Sequence, residues 1–457
     1  MIHAYRLGGL NIVLDIASGS IHSVDDAAFD AIRMYEHGGA YAAAEVLGRE
    51  HPGLSDADVS ELISDVEALK REGKLFSTDN FTGSDWSADI RPLKALCMNV
   101  SNLCNMSCTY CFAGTSPAAG ADPLPCMSLE TGRAAVDFLM ENSKGRRNLD
   151  IDFFGGEPLL NWDVVKGIVR YAREKERGSG KVFRFTLTTN GLLIDDDVIE
   201  FSNREMHNVV LSLDGRPGTN DAKRLLRNGG GGSYATVLPK IKRLVEERGG
   251  RGYYVRGTFT RENLDFTEDI LHLADLGFTE LAMEPVVAKP GEPYELTEED
   301  LPAIFEQYEK LALEMAAGER QGREFSLYQF TLDLAGAPCV YKRLAGCGVG
   351  TEYLAVTPDG GLYPCHRFVG ESGFLMGSVF NGVNNETLRR EFGVCGILSK
   401  DECRKCWARY YCSGGCAAGA YYASGSIGGI YGLGCEILKK RIECAIMLKV
   451  SLEIDAS

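Results

Sequence analysis

Residues 95–111 read ALCMNVSNLCNMSCTYC. Ala95–Val100 has the composition of a strand, and directly after it three thiols, Cys104, Cys108 and Cys111, fall within eight residues on a stretch expected to be a loop. Moving outward, the chain from Lys94 to about residue 318 alternates strand and helix patterns. The expected strands are Ala95–Val100, Leu149–Phe154, Val182–Leu187, Val209–Leu213, Tyr253–Phe259 and Glu280–Glu284. Helical patterns such as Trp162–Glu176, Ser233–Glu247 and Phe266–Leu276 follow, and Thr297 with Asp300 makes a capping-box start for another. Repeated strand–helix units imply parallel strands with right-handed crossovers. Six units are fewer than a closed eight-stranded barrel needs. The expected class is therefore α/β, an open partial (β/α)6 barrel over residues 91–325 with its reactive groups on the loops after the strands.

Residues 1–90 read as a separate module. Ile2–Arg6, Asn11–Asp15 and Ser20–Ser23 alternate as a three-stranded meander divided by Gly8-Gly9 and Ser18-Gly19. Helical patterns over Asp25–His37, Ala40–Glu50 and Ser55–Glu72 follow, broken by Gly38-Gly39 and Pro52-Gly53. The polar stretch Ser77–Ser87 reads as a linker. Residues 326–457, rich in Gly, Cys and Tyr, read as loop-like and too broken in pattern for a large core. Metal centres are expected to supply the cohesion there.

A chain of 457 residues suggests two or three domains. Its formal charge of −16 disfavours a broad nucleic-acid surface. No apolar run reaches 18 residues, so no membrane span is expected, and the first residues carry no export signal pattern. A cytoplasmic location is expected, where fifteen cysteines point to metal or redox chemistry rather than a disulfide framework. Five of them lie between Cys97 and Cys126 and ten between Cys339 and Cys444, which suggests two metal-binding neighbourhoods.

The spacing C-x3-C-x2-C suits one face of an iron–sulfur cubane whose fourth iron stays free. It also suits a zinc knuckle that borrows a ligand such as Cys97. Phe153-Phe154-Gly155-Gly156-Glu157-Pro158 ends the second strand with two glycines, which allow close backbone approach, and a carboxylate. Together with Tyr110 before the last thiol of the loop, these residues resemble a radical S-adenosylmethionine (SAM) enzyme. The resemblance implies a [4Fe–4S] cluster on Cys104, Cys108 and Cys111 that chelates SAM and releases a 5′-deoxyadenosyl radical. It places Tyr110 near adenine and the backbone of Gly155, Gly156 and Glu157 at the methionine amine. Polar contacts to SAM follow at Asn190, in Thr188-Thr189-Asn190-Gly191, and at Ser212, in Ser212-Leu213-Asp214-Gly215, and Arg256 meets the SAM carboxylate. By residue type alone, Asn190-Gly191 and Asp214-Gly215 are also ordinary turn pairs.

Further on, Cys347-x12-Gly360-x4-Cys365, Cys403-x2-Cys406-x5-Cys412-x3-Cys416 and Cys435 resemble the SPASM extension of radical SAM peptide maturases. That resemblance implies two auxiliary [4Fe–4S] clusters, one on Cys403, Cys406, Cys412 and Cys435, the other on Cys347, Cys365 and Cys416. Cys339 is a candidate fourth ligand for the latter, which is otherwise open to a substrate thiol. A pair of zinc-ribbon sites is the alternative for these spacings. Cys97, Cys126, Cys395 and Cys444 are expected to be buried, unreactive thiols, His366 a packing residue and Gly229–Gly232 a flexible loop.

Over nearly the whole chain the motifs resemble the SCIFF peptide maturases, through Arg146–Asp150 leading into Asp152–Pro158, Gly346–Tyr353 and Cys412–Ala418. The implied reaction is thioether formation between cysteine sulfur and a carbon of an acceptor residue in a ribosomally made, Cys-rich precursor peptide. The N-terminal winged-helix-like module would bind the peptide's leader as an added strand; taken alone, residues 1–90 also read as an ordinary winged-helix-like cap. Asp214 or Glu284 is the candidate base, although coordination of the thiol to an auxiliary iron would deprotonate it unaided, and a flavodoxin- or ferredoxin-type protein is the reductant. Two other readings remain: a sulfatase-type maturase that forms formylglycine, and a non-catalytic iron–sulfur electron carrier or zinc scaffold.

Overall fold

The computed structural model describes residues 1–81, 91–111, 124–227, 229–288, 291–332, 334, 344 and 346–455. Strands β1 (Ile2–Leu7), β2 (Leu10–Asp15) and β3 (Ile21–Val24) form an antiparallel sheet in the order β1-β2-β3. Gly8 and Gly9 both have positive φ, 60° and 78°, as a two-residue hairpin turn requires. Helix α1 (Asp26–Glu50) starts where the Asp25 side chain accepts from Ala28 N. The break read at Gly38-Gly39 is a kink, since α1 continues across a non-helical Gly39. A Ser55–Asp58 capping box opens α2 (Asp56–Arg71).

The second sheet carries the candidate site. Strands β4 (Ala95–Ser101), β5 (Asn148–Gly155), β6 (Val182–Thr189), β7 (Met206–Ser212), β8 (Tyr253–Phe259) and β9 (Glu280–Pro285) lie side by side in chain order, each pair parallel. Between them run α3 (Leu129–Asn142), α4 (Trp162–Glu176), α5 (Asp196–Glu205), α6 (Pro217–Lys223), α7 (Tyr234–Glu247) and α8 (Phe266–Asp275), with α9 (Leu301–Arg320) after β9. This is the α/β parallel architecture expected from the alternation. Strand β4 is buried throughout, and Leu96, Met98 and Val100 belong to the main core with Val136, Leu139 and Ile168.

The C-terminal third extends this same sheet. Strand β10 (Ser326–Leu327) pairs parallel to β9, and β11 (Tyr353–Val356) pairs parallel to β4 at the other edge, followed by β12 (Gly361–Tyr363), β13 (Gly377–Ser378) and β14 (Gly382–Val383). The expectation of a loop-like remainder is corrected here. Residues Gly432–Asp455 form a 24-residue helix, and its Ile437, Ile442, Ile446 and Met447 join the main core. Its apolar residues sit on more than one face, so no single stripe marks it in the sequence. Of the expected linker, the described part is anchored: Asp79 pairs with Arg409 at 2.6 Å and accepts from the Tyr410 hydroxyl at 2.7 Å. Residues 82–87 lie outside the described residues. No described helix is long and apolar enough to cross a membrane.

Candidate active site and metal centres

The thiol loop leaves the end of β4 and is fixed from two sides. Thr109 N donates to Lys223 O at 3.0 Å, Ser107 N to Leu225 O at 2.8 Å, and Arg227 N to Asn105 O at 3.2 Å. On the other side Gly156 N donates to Ser101 O at 2.7 Å and Glu157 N to Leu103 O at 2.9 Å. That approach explains both glycines: a Cβ on Gly155 would stand 2.2 Å from Ser101 O, and one on Gly156 2.3 Å from Leu103 O. Gly155 also has φ +127°, a region open to glycine alone.

Cys104, Cys108, Tyr110 and Cys111 open onto one cleft. Gly155, Gly156, Glu157, Asn190, Ser212, Arg256 and Glu284 line it as well. The sequence-predicted cleft residues are thus brought together, with one exception, Asp214. Asp214 is fully buried, and its oxygens are engaged by Tyr110 OH at 2.6 Å, Arg224 Nε at 3.0 Å and Thr258 N at 3.1 Å. A carboxylate so occupied is placed to hold Tyr110 and Arg224 rather than to accept a substrate proton. Arg224, carrying no motif of its own, is a site residue that the sequence does not reveal; its guanidinium also lies 5.7 Å from the centre of the Tyr110 ring.

Glu157 is buried, and burial pushes its carboxyl up to about 7 against three donors: Asn190 N at 2.8 Å, Leu159 N at 3.1 Å and Thr189 Oγ1 at 2.8 Å. It clamps the end of β5 to the end of β6. The Asn190 amide donates to Asn105 Oδ1 at 2.8 Å and reaches Cys104 Sγ at 3.8 Å, a tie to the thiol loop beyond an ordinary Asn-Gly turn. Glu284 accepts from Gln329 Nε2 at 2.9 Å and faces Arg441 at 3.7 Å. Gln329 and Arg441, far off in sequence, were not legible as site residues. The C-terminal third closes one wall of the cleft with His366 and Arg367. Burial, with Arg367 and Arg256 nearby, holds His366 down to about 3, so its imidazole is neutral.

Burial raises the Cys104 thiol and pushes Cys108 up to about 11, the latter opposed by Arg224. Cys97 is buried, and burial raises its thiol too, as expected of a core cysteine; Cys444 behaves alike. Cys126 Sγ lies 3.8 Å from Ser101 Oγ, and Cys395 Sγ donates to Ile427 O at 3.0 Å. In the C-terminal third, Cys403, Cys406, Cys412 and Cys435 line a single cavity with Lys439 and Arg409. A second group joins exposed Cys347 and Cys416 to half-buried Cys365. Burial pushes Cys365 up to about 12, and Cys416 and Cys347 act on it from close by. Cys339 lies outside the described residues. Among the described residues, no three or more His, Cys, Asp or Glu side chains close on a single-ion position; a cubane gripped from outside by thiolates asks for none. Three thiols at a cleft and four around one cavity are donor sets that fit iron–sulfur clusters.

Fold and site together place a loop of three thiols after the first strand of a parallel α/β sheet, at a cleft. Residues 98–274 match the Radical SAM superfamily model. The chain is 26% identical over 192 residues to the radical SAM cyclopropyl synthase TigE of Paramaledivibacter caminithermalis, covering 40% of this chain and 39% of that protein. It is 23% identical over 351 residues to a cysteine-type anaerobic sulfatase-maturating enzyme of Clostridium novyi, covering 72% of this chain and 88% of that one. In fold it resembles anSMEcpe with bound AdoMet, at TM-score 0.64 and 22% identity over 79% of this chain and 99% of that one. It also resembles Streptococcus suis SuiB bound to its precursor peptide SuiA, at TM-score 0.53 and 16% identity over 94% of this chain and 97% of that one.

Proposed function

We propose that this protein is a radical SAM maturase that forms thioether links between cysteine sulfur and a carbon in a Cys-rich precursor peptide, of the kind the SCIFF maturases process. The observation that carries the reading is the shared wall: Cys365, of the open three-thiol group, is followed at once by His366 and Arg367, which line the SAM cleft. A substrate thiol bound at the one centre would lie beside the carbon attacked at the other. The likeness to SuiB extends over 94% of this chain against 79% for anSMEcpe, which supports a peptide substrate with a leader. The three-stranded sheet leaves β3 without a second strand partner among the described residues, a backbone edge to which an extended leader can add.

In this reading Cys104, Cys108 and Cys111 hold the SAM-binding cluster, Cys403, Cys406, Cys412 and Cys435 one auxiliary cluster, and Cys347, Cys365 and Cys416 the other. Once bound, the cluster and SAM supply a 5′-deoxyadenosyl radical that removes a hydrogen atom from carbon. The chain's own residues bind and orient. Gly156 and Glu157 spend their N–H groups on the thiol loop, so that turn offers a ligand carbonyl acceptors, as an ammonium requires. Arg256 presents a guanidinium to a carboxylate, Ser212 a hydroxyl to ribose, and Tyr110, held by Asp214, an aromatic face to adenine. Glu284 takes the proton of the substrate thiol, and Asp214 positions Tyr110 and Arg224. Balance requires that one electron leave as the carbon–sulfur bond closes, and a cluster held by the C-terminal thiols would supply the acceptor for it. The protein acts in the cytoplasm with a flavodoxin- or ferredoxin-type donor.

The similarity to a sulfatase-maturating enzyme over 72% of this chain supports a second reading, oxidation of a cysteine to formylglycine. Anaerobic incubation with SAM, dithionite and a Cys-rich precursor peptide, followed by tandem mass spectrometry, separates the two. A loss of two hydrogens with a new bond between residues is expected. Formylglycine without a bond, or 5′-deoxyadenosine without a changed peptide, would refute the proposal.

A further inference from the structure

Beside the four-thiol cavity lies a buried cation. Lys400 is 5% exposed, and its ammonium donates to Gly429 O at 3.0 Å and Gly414 O at 3.4 Å. The two cations that line the cavity are each paired, Lys439 with Glu436 at 2.7 Å and Arg409 with Asp79 at 2.6 Å. Lys400 is paired with no carboxylate among the described residues, and its neighbour Glu402 is exposed. A lysine this deeply buried is seldom left without a counter-charge, because two neutral carbonyls do not replace the hydration of a full positive charge. The candidates for that charge are the thiols of the cavity, of which Cys403 stands three residues after Lys400 on the short helix Asp401–Lys405 that Lys400 caps. Four thiolates around a [4Fe–4S] unit carry net negative charge, one unit more when the unit is reduced. The carbonyls that Lys400 grips also matter, since Gly414 follows Cys412 and Gly429 precedes the helix that carries Cys435.

We propose that Lys400 is a positioning residue for the cluster on Cys403, Cys406, Cys412 and Cys435. Its ammonium is the cluster's buried counter-charge, it joins the two segments that bear Cys412 and Cys435, and it raises the reduction potential by favouring the reduced, more negative state. A centre with a raised potential suits the electron that leaves as the carbon–sulfur bond closes. The inference rests on the proposed cluster at this site and goes beyond it, by naming a residue that sets the cluster's potential.

The test uses the full chain, reconstituted anaerobically, with Cys104, Cys108 and Cys111 changed to alanine so that only auxiliary iron remains. Iron and sulfide are counted, and the midpoints are read by EPR-monitored redox titration. Lys400→Met keeps the length and removes the charge; Lys400→Arg keeps the charge. With Lys400→Met, one of two midpoints should fall by at least a tenfold change in the reduction equilibrium, about 59 mV for a one-electron couple, while Lys400→Arg stays near the parent. Loss of one cluster's iron in Lys400→Met, but not in Lys400→Arg, supports the same role. Unchanged midpoints with full iron in Lys400→Met, or equal behaviour of the two variants, overturns it. Cys403→Ala tests the underlying reading separately: if its iron content does not fall, no cluster sits here and that reading fails, whatever Lys400 does.

Discussion

On the proposed function, alanine at Gly156 is expected to suppress SAM cleavage while sparing the proposed C-terminal clusters. The added Cβ would meet Leu103 O at 2.3 Å and the Leu103 carbonyl carbon at 2.8 Å. Both are backbone atoms of the segment leading into Cys104, so no side chain can swing aside. The strain is relieved only if the thiol loop withdraws from β5, and that breaks Gly156 N to Ser101 O and Glu157 N to Leu103 O, at 2.7 and 2.9 Å. Two hydrogen bonds at about 1 kcal/mol each make withdrawal cost about 2 kcal/mol, much the same as the overpacking of about 1–3 kcal/mol borne if the loop stays. At about 1.4 kcal/mol per factor of ten, the properly formed loop becomes about thirtyfold scarcer. Reconstituted protein should lose part of the four irons of its thiol-loop cluster, if each proposed cluster holds four, and release 5′-deoxyadenosine at about 3% of the parent rate under dithionite. Gly145→Ala is the control, because its Cβ meets nothing within 4 Å, and it should behave as the parent. A Gly156→Ala protein with full iron and undiminished SAM cleavage would refute the packing argument.

Other perturbations separate the roles of the carboxylates. Asp214→Asn leaves buried Arg224 without its counter-charge and should destabilise by about 3–5 kcal/mol, more than Tyr110→Phe, which removes one hydrogen bond to a charged group worth about 1.5–3 kcal/mol. Thermal melting tests the order, and an Asp214→Asn protein that is fully stable but blocked in peptide modification would return Asp214 to the role of base. Glu284→Gln should keep SAM cleavage yet slow crosslink formation by about 10²–10⁴; a normal crosslinking rate, read by mass spectrometry, excludes Glu284 as the proton acceptor. Burial, with Asp150 adding, pushes the Asp152 carboxyl from 3.8 up to about 6. The folded chain therefore keeps this proton longer than the unfolded one, so stability falls as pH rises between these values, and a deficit of about 3 kcal/mol persists at neutral pH. Asp152→Asn removes that deficit: its melting temperature relative to the parent should rise from pH 4 to pH 7, and a pH-independent difference would contradict the assignment.

How much of this was legible in the chain depends on how far apart the interacting residues lie. Strand β8 is bounded at Tyr253 and Phe259 as the alternation predicts, because each residue faces its side of the sheet in turn. Strand β7 begins at Met206, three residues before the predicted start, since Met206-His207-Asn208 holds no β-branched residue and is recruited by pairing with β6. The kink at Gly39 was legible as a break because glycine lacks the Cβ that would oppose its φ of 67°. The helix Gly432–Asp455 was not, since burial on several sides erases the periodicity that marks a surface helix.

The same distinction runs through the site. Thiols that share a loop announce themselves by spacing, and so do the glycines that let two backbones touch. Arg224, Gln329 and Arg441 converge on Asp214 and Glu284 only through the tertiary fold, and residue types so common carry no local signal. The wall that C-terminal His366 and Arg367 lend to the cleft depends on one contact, the parallel pairing of β11 with β4, which sets Tyr353 opposite Ala95 and Val356 opposite Met98. That register puts Cys97 opposite Ala355, and β12, antiparallel to β11, leads into the segment that starts at Cys365 and lends His366 and Arg367 to the cleft. Slipping the register by one residue would turn the inward-facing side of β11 outward and carry Cys365 away from the cleft. The two proposed centres are therefore linked through a strand pairing, and on the proposed function a substitution that weakens β11 should uncouple SAM cleavage from peptide modification without touching a single cysteine.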